Sequence, residues 1–76
     1  MIKMTKLSER LCALRQERNL TQLLAADGMG VAFSTYRRYE KNEREPTASV
    51  LVQMANFYDV SLDYLVGRSD RREVIS

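Results

Sequence analysis

A reversal between two short helical segments near the middle of the chain most restricts how this sequence can fold. Threonine is a good N-cap, so a helix can begin after Thr21, and its apolar pattern runs to about Met29. Gly30 follows, and glycine adopts the positive φ angle of a sharp turn without steric cost. Helical periodicity returns over about residues 32–41. Because Ala26 is small, the second helix can pass close over the first. The stretch therefore predicts two short helices that cross steeply at a tight turn.

The second of these helices has two chemically different faces. At about 100° per residue, its outer face combines basic and polar side chains with one aromatic ring. These residues are Phe33, Ser34, Arg37, Arg38 and Lys41. Ala32, Tyr36 and Tyr39 lie opposite and are expected to face the core. An ordinary amphipathic helix with a solvated basic face would show the same pattern. The two helices also have the layout of a helix-turn-helix, whose second helix lies in the major groove of DNA.

The rest of the pattern predicts three further helices and no strand. Leucines at helical spacing predict a first helix from about residue 6 to residue 18. Pro46 blocks helix, and Thr47 can cap a fourth helix. Ser61 can cap a fifth, which Gly67 ends. We therefore expect an all-α fold, a compact five-helix domain.

Length and charge support one small domain with a modest positive face. The chain has 76 residues, of which 45% are hydrophobic, and this is enough for a core. The formal net charge is only +2, so where the basic groups lie matters more than their sum. We expect a single DNA-binding domain at residues 1–68 and a charged, frayed tail at residues 69–76.

Composition argues against several function classes, catalysis among them. The chain has no histidine, so the commonest general base and metal ligand is missing. Cys12 is the single cysteine, and it can form neither an intrachain disulfide nor a zinc site alone. We expect no enzyme activity, no metal and no cofactor. No apolar run approaches membrane-spanning length, and no signal sequence starts the chain, so a cytoplasmic protein without a membrane partner is expected.

Four segments together resemble the Cro/C1-type (XRE-like) helix-turn-helix family of phage repressors and bacterial transcriptional regulators. They are LRQERNLTQ, LAADGMGV, STYRRYEKNEREP and SLDYLVGR, and the similarity covers roughly residues 7–68. The resemblance implies a lambda-repressor-like fold and a sequence-specific, double-stranded DNA-binding transcriptional regulator, expected to be a repressor. It also implies a homodimer, and two-fold symmetry then implies a pseudo-palindromic operator.

The resemblance assigns roles to individual residues. Base contacts are implied for Phe33, Ser34, Arg37 and Arg38. Contacts with the DNA backbone are expected from Thr21, Gln22, Lys41, Asn42 and Arg44. Arg15 and Glu40 match a buried ion pair that ties the first helix to the third. The dimer surface is expected on the fifth-helix side, where the sequence supplies more apolar residues than a small core needs: Tyr58, Val60, Leu62, Leu65 and Val66.

A second interpretation keeps the fold but changes the partner. Positions 23 and 24 are usually charged or polar in the family, whereas this chain has Leu23 and Leu24. A protein-interaction module, such as an antitoxin or a regulator antagonist, could use these two residues and the fifth helix to hold a protein partner. This alternative predicts weak, salt-insensitive or absent DNA binding.

Overall fold

The predicted order of five helices is confirmed by the computed structural model, which describes residues 5–74. Over those residues the chain forms helices and turns without a strand. The helices are α1 (Thr5–Glu17), α2 (Gln22–Met29), α3 (Phe33–Glu40), α4 (Ala48–Tyr58) and α5 (Leu62–Leu65). The outer ends of the predicted domain and tail, residues 1–4 and 75–76, lie outside the described residues.

Hydroxyl side chains begin three of the helices, as the sequence predicts. Thr21, Thr47 and Ser61 each have extended backbone angles, and each side-chain oxygen accepts a hydrogen bond from the backbone N–H three residues later. This bond satisfies one of the N–H groups that have no partner in the first turn of a helix. Helix α3 differs, because Ala32 precedes it and provides no side-chain cap. The starts of these three helices are therefore encoded locally, whereas that of α3 is not.

The turn between α2 and α3 has the geometry that its glycine predicts. Gly30 has a φ of 74°, in the left-handed region that favours glycine. The N–H of Val31 donates to the carbonyl of Ala26 at 2.9 Å, which closes the last turn of α2. Ala26 is buried, and Val31 packs against the core. This arrangement fixes the crossing of the two helices.

All five helices bury their apolar sides in one core. Helix α1 contributes its leucine stripe, and α3 contributes two tyrosines, which are buried as predicted. The core side chains are Leu7, Leu11, Leu14, Ala25, Ala26, Met29, Tyr36, Tyr39, Leu51, Met54, Ala55, Tyr58, Val60, Tyr64 and Leu65. Because both tyrosines of α3 point inward, the opposite side of that helix is left facing solvent.

A glycine inside α2 lets that helix lie close to α4. A Cβ atom built on Gly28 would lie 2.3 Å from Cε1 of Phe57, well inside van der Waals contact. Glycine within a helix costs about 1 kcal/mol relative to alanine. Here the missing side chain makes room for the aromatic ring, which itself packs edge-on against Tyr58 with 4.9 Å between ring centroids. The glycine therefore has a packing role that helix propensity does not reveal.

Three of the five residues expected at the dimer surface are buried within the single chain. Tyr58, Val60 and Leu65 have exposed fractions of 1%, 5% and 0%, so they belong to the core of the single chain. A small domain buries a limited share of its surface and uses most of its apolar side chains internally. Of the predicted residues, Leu62 is exposed and Val66 is half-buried. Any association through this face must use those two and their neighbours.

The start of the C-terminal tail is docked against α1, which differs from the expected fraying. We call residues 69–73 the C-terminal strap. Arg10 of α1 donates to the carboxylate of Asp70 at 2.8 Å. Arg72 donates from both terminal nitrogens to the carboxylate of Glu17, at 2.9 and 2.7 Å. The two-point contact of Arg72 with Glu17 is directional and stronger than a hydrogen bond between neutral groups. Together the two ion pairs place the strap along α1.

One aromatic ring contacts both arginines of these ion pairs. The guanidinium carbons of Arg10 and Arg72 lie 4.0 and 5.3 Å from the ring centroid of Tyr64. The N–H of Ser61 also donates to the carbonyl of Arg72 at 2.8 Å. The N–H of Ser69 donates to the carbonyl of Asp63 at 3.2 Å. The strap therefore joins α1 and α5 through cation–π contacts, ion pairs and two backbone hydrogen bonds.

Candidate nucleic-acid interface

The outward side of α3 presents the residues that the sequence predicts as base contacts. Four side chains on this side are solvent-exposed: Phe33, Ser34, Arg37 and Arg38. Phe33 is 40% exposed, so its side chain has not folded back onto the core. Tyr36 and Tyr39 hold the opposite side of the helix in the core. The helix therefore combines a fixed inner face with a free outer face of basic, polar and aromatic groups.

Two of the exposed residues contact each other one helical turn apart. The guanidinium carbon of Arg37 lies 5.6 Å from the ring centroid of Phe33, within the range of a cation–π contact. Spacing of i and i+4 places both side chains on one strip of the helix surface. The outer face of α3 thus contains an arginine and an aromatic ring in contact with each other.

The residues predicted to contact the DNA backbone flank α3. Thr21 is exposed at the start of α2, where its side chain caps the helix. Lys41 and Arg44 are exposed in the turn that follows α3. Asn42 is half-buried in the same turn and has a φ of 58°, which asparagine tolerates better than most residues. Hydrogen-bond donors therefore lie both at the start of α2 and in the turn after α3.

The predicted ion pair between α1 and α3 is present and buried. Nε of Arg15 donates to Glu40 at 2.7 Å, and its Nη2 donates to the second carboxylate oxygen at 3.2 Å. The side chains are 15% and 5% exposed. Burial by itself opposes ionisation of Glu40, but the hydrogen-bond donors around the carboxylate, Arg15 first among them, and the positive charge of Arg15 together outweigh it, and the pKa of Glu40 is lowered. The pair is therefore charged at neutral pH and fixes α3 on α1.

Gln22 has a structural partner that the sequence analysis did not identify. Its Nε2 donates to Oε1 of Glu40 at 3.1 Å, so the carboxylate joins α1, α2 and α3. An amide nitrogen has two hydrogens, and the second remains available for another acceptor. The only signal in the sequence was a glutamine in the first turn of α2, and no spacing rule links it to residue 40.

Two buried phenols lie beside this carboxylate. The hydroxyls of Tyr36 and Tyr58 are buried and have no hydrogen-bond partner within 3.5 Å among the described residues. Burial raises the pKa of both phenols, and the negative charge of Glu40 acts in the same direction. Both tyrosines therefore remain neutral, and the inner face of α3 carries one ionised group, Glu40, held by Arg15.

A metal site and a membrane-spanning helix are both absent from the part of the chain that the structure describes. Within residues 5–74, no three acidic or cysteine side chains lie close enough together to hold a metal ion. In the same range, none of the helices has both the length and the apolarity needed to cross a bilayer.

Comparison with known proteins identifies relatives among transcriptional regulators. The chain is 40% identical over 63 residues to the cryptic phage CTXphi transcriptional repressor RstR of Vibrio cholerae, covering 83% of this chain and 56% of the relative. It is 41% identical over 66 residues to the uncharacterised HTH-type transcriptional regulator YqaE of Bacillus subtilis, covering 86% and 57%. It is 35% identical over 65 residues to the HTH-type transcriptional regulator AnsR of the same organism, covering 86% and 56%. The chain thus spans little more than half the length of these relatives.

No solved structure matches the chain significantly. Residues 13–65 match the profile of a helix-turn-helix family, and this range contains α2, the glycine turn and α3 in full. The matched range also contains Arg15 and Glu40, so the ion pair that anchors α3 belongs to the shared region. On the sequence match, the relatives and the helical architecture together, this chain belongs to the Cro/C1-type helix-turn-helix family of phage and bacterial transcriptional regulators.

Proposed function

We propose that this chain binds double-stranded DNA in a sequence-specific way and regulates transcription as a repressor. One observation carries the proposal: α3 exposes a basic, polar and aromatic face while its other face is fixed by the core and by the Arg15–Glu40 pair. The CTXphi protein of V. cholerae, similar over most of this chain, is described as a transcriptional repressor. We infer an activity of binding rather than catalysis, in the cytoplasm, where bacterial and phage DNA is accessible.

In the proposed complex, α3 lies in the major groove and the flanking segments hold the phosphates. Base edges carry the sequence information, whereas phosphate contacts set register and orientation. We assign base contacts to Phe33, Ser34, Arg37 and Arg38. Backbone contacts are assigned to the donors around α3: Thr21, Gln22, Lys41, Asn42 and Arg44. Selection of bound duplexes from a random-sequence pool tests the proposal directly, because a sequence-specific protein enriches one motif.

Affinity for DNA is expected to fall steeply as salt rises, because each lysine or arginine on a phosphate releases condensed counterions. Replacing Arg44 with alanine should make the slope of log affinity against log salt shallower by about one unit, for every sequence alike. The measurement is a titration of the selected duplex at several salt concentrations. Arg68→Ala is the control, since Arg68 is also exposed but is not a proposed phosphate contact. An unchanged slope for Arg44→Ala would remove that residue from the interface.

Arg37→Ala is expected to weaken binding to the preferred site by about 1–3 kcal/mol and to relax specificity at one base pair in each half-site. The planar fork of arginine matches the two acceptors N7 and O6 of guanine. The measurement compares wild-type and variant affinities on a panel of duplexes with single-base changes. Arg44→Ala provides the contrast, because a phosphate contact weakens all duplexes by the same factor. A uniform loss for Arg37→Ala would show that Arg37 positions α3 and reads no base.

We also propose that the protein binds its operator as a homodimer. A groove of about 330 Å³ lies beside the start of α5, and three exposed apolar residues line it: Val52, Leu62 and Val74. Single exposed apolar residues are common, but several beside one groove are typical of an interaction surface. Two-fold symmetry would place two half-sites about 10–10.5 bp apart on a pseudo-palindromic operator.

One observation favours the alternative of a protein-interaction module. Leu23 and Leu24 on α2 are 58% and 56% exposed, so two adjacent leucines face solvent beside the proposed DNA interface. A protein that uses them to hold a regulator or toxin would show no enriched DNA motif and a flat salt response. The duplex selection and the salt titration therefore separate the two functions.

A further inference from the structure

The arginine–aromatic pair on α3 limits which base pairs its two members can reach. Phe33 is 40% exposed, and the guanidinium carbon of Arg37 lies 5.6 Å from its ring centroid. We propose that Phe33 and Arg37 form one reading unit, which recognises a thymine within two base-pair steps of a guanine in each half-site. This inference rests on the proposed function and deepens it by naming part of the DNA sequence.

The chemistry of the two side chains selects these two bases. In the major groove only thymine, among the four bases, presents a methyl group, and an aromatic ring offers it an apolar contact. Only guanine presents two acceptors side by side, N7 and O6, which match the two donors of a guanidinium. The ring of Phe33 faces solvent, so it can take up such a contact when α3 enters the groove.

The distance between the two groups limits how far apart the two bases can lie. Successive base pairs are about 3.4 Å apart along the helix axis, so two steps span about 7 Å and three steps about 10 Å. The guanidinium carbon and the ring centroid lie 5.6 Å apart, which falls between one step and two. The thymine and the guanine therefore lie within two base-pair steps of each other.

The pair is also arranged before DNA binds. Within residues 5–74 Arg37 forms no ion pair, so its donors are not already taken up by a carboxylate. The cation–π contact with the ring of Phe33 favours the rotamers of Arg37 that place the guanidinium against the ring. A side chain that is ordered in advance loses less conformational entropy on binding. Phe33 thus contacts one base and positions the residue that reads the other.

The test begins with the most enriched duplex from a random-sequence pool, bound by the full chain. The inference expects a thymine within two base-pair steps of a guanine in each half-site. Replacing that thymine with deoxyuridine removes only its methyl group and should weaken wild-type binding about four-fold, the effect of burying one methyl carbon. Replacing the guanine with 7-deazaguanine removes one acceptor and should weaken binding about five-fold or more.

Variants assign each effect to a side chain. Phe33→Ala should bind the thymine and deoxyuridine duplexes equally, whereas Arg37→Ala should keep the methyl effect and lose the deazaguanine effect. Phe33→Leu should keep part of the methyl effect, because leucine still offers an apolar contact. Leu23→Ala, another exposed apolar residue, is the matched control and should retain both effects. Thermal melting verifies that each variant is folded, as substitutions at exposed positions should leave the core intact.

The outcomes distinguish this inference from the proposed function. An enriched motif without a thymine and a guanine within two base-pair steps of each other would overturn the inference and leave sequence-specific binding in place. The inference would fail in the same way if wild-type affinity were equal for the thymine and deoxyuridine duplexes, or if Phe33→Ala retained the methyl effect. A selection that enriched no motif would overturn the proposed function and the inference with it.

Discussion

Replacing Glu40 with alanine is expected to lower the free energy of unfolding by about 3–5 kcal/mol, because it leaves the buried guanidinium of Arg15 without its counterion. The carboxylate accepts hydrogen bonds from Arg15 and Gln22, so one substitution removes contacts among α1, α2 and α3. Chemical denaturation monitored by circular dichroism measures the loss. Glu43→Ala is the matched control, since Glu43 is an exposed carboxylate in the next turn and should change stability little. Equal stability of the two variants would show that the ion pair does not support the fold.

The same ion pair gives stability a defined dependence on pH. The pKa of Glu40 is lowered in the folded chain, so its carboxylate binds a proton less readily there than in the unfolded chain. The contribution is complete above the unfolded pKa of about 4.3 and is lost as pH falls through the lowered folded value. Glu40→Gln should therefore flatten the decline of wild-type stability on acidification. A parallel decline in both proteins would assign the acid sensitivity to other carboxylates.

Substitution of two leucines close together in α5 is expected to change the free energy of unfolding by very different amounts. Leu65 is 0% exposed, and Leu65→Ala should lower the free energy of unfolding by about 2–5 kcal/mol, since it removes buried methyl groups and leaves a cavity. Leu62 is 41% exposed, and Leu62→Ala should change the stability of the single chain by less than about 0.5 kcal/mol. Thermal or chemical unfolding at low protein concentration measures both values.

The same two variants test the proposed dimer. Leu62→Ala should weaken self-association in analytical ultracentrifugation, because Leu62 lines the apolar groove beside α5. Leu65→Ala should affect association only by unfolding the chain. A wild-type protein that sediments as a monomer both free and on DNA would contradict the dimer, whatever the variants show.

Local chemistry made most of the fold predictable. Helix starts at Thr21, Thr47 and Ser61 follow from hydroxyl caps, and the turn at Gly30 follows from a positive φ. The inward side of α3 could be predicted from the spacing of its two tyrosines. These features depend on residues within a few positions of each other, so a single sequence contains the information.

Features that depend on packing between distant segments could not be predicted in this way. Hydrophobicity predicts that Leu65 is buried but does not say whether its own core or a second chain buries it, and this is why Leu65 was expected at a dimer surface although the core of its own chain buries it. The contact of Gln22 with Glu40 depends on the angle at which α2 crosses α3. The room that Gly28 leaves for Phe57 depends likewise on how closely α2 approaches α4.

The C-terminal strap has a consequence for the order in which the chain folds. Its ion pairs join residues 60 and 55 positions apart, Arg10 with Asp70 and Arg72 with Glu17. Closing so long a loop is entropically costly until the helices between have packed, so these contacts are expected to form last. They should also open first, since most of the strap is exposed while the core beneath it is buried. The chain therefore contains a small unit of low local stability that can detach while α2 and α3 keep their crossing.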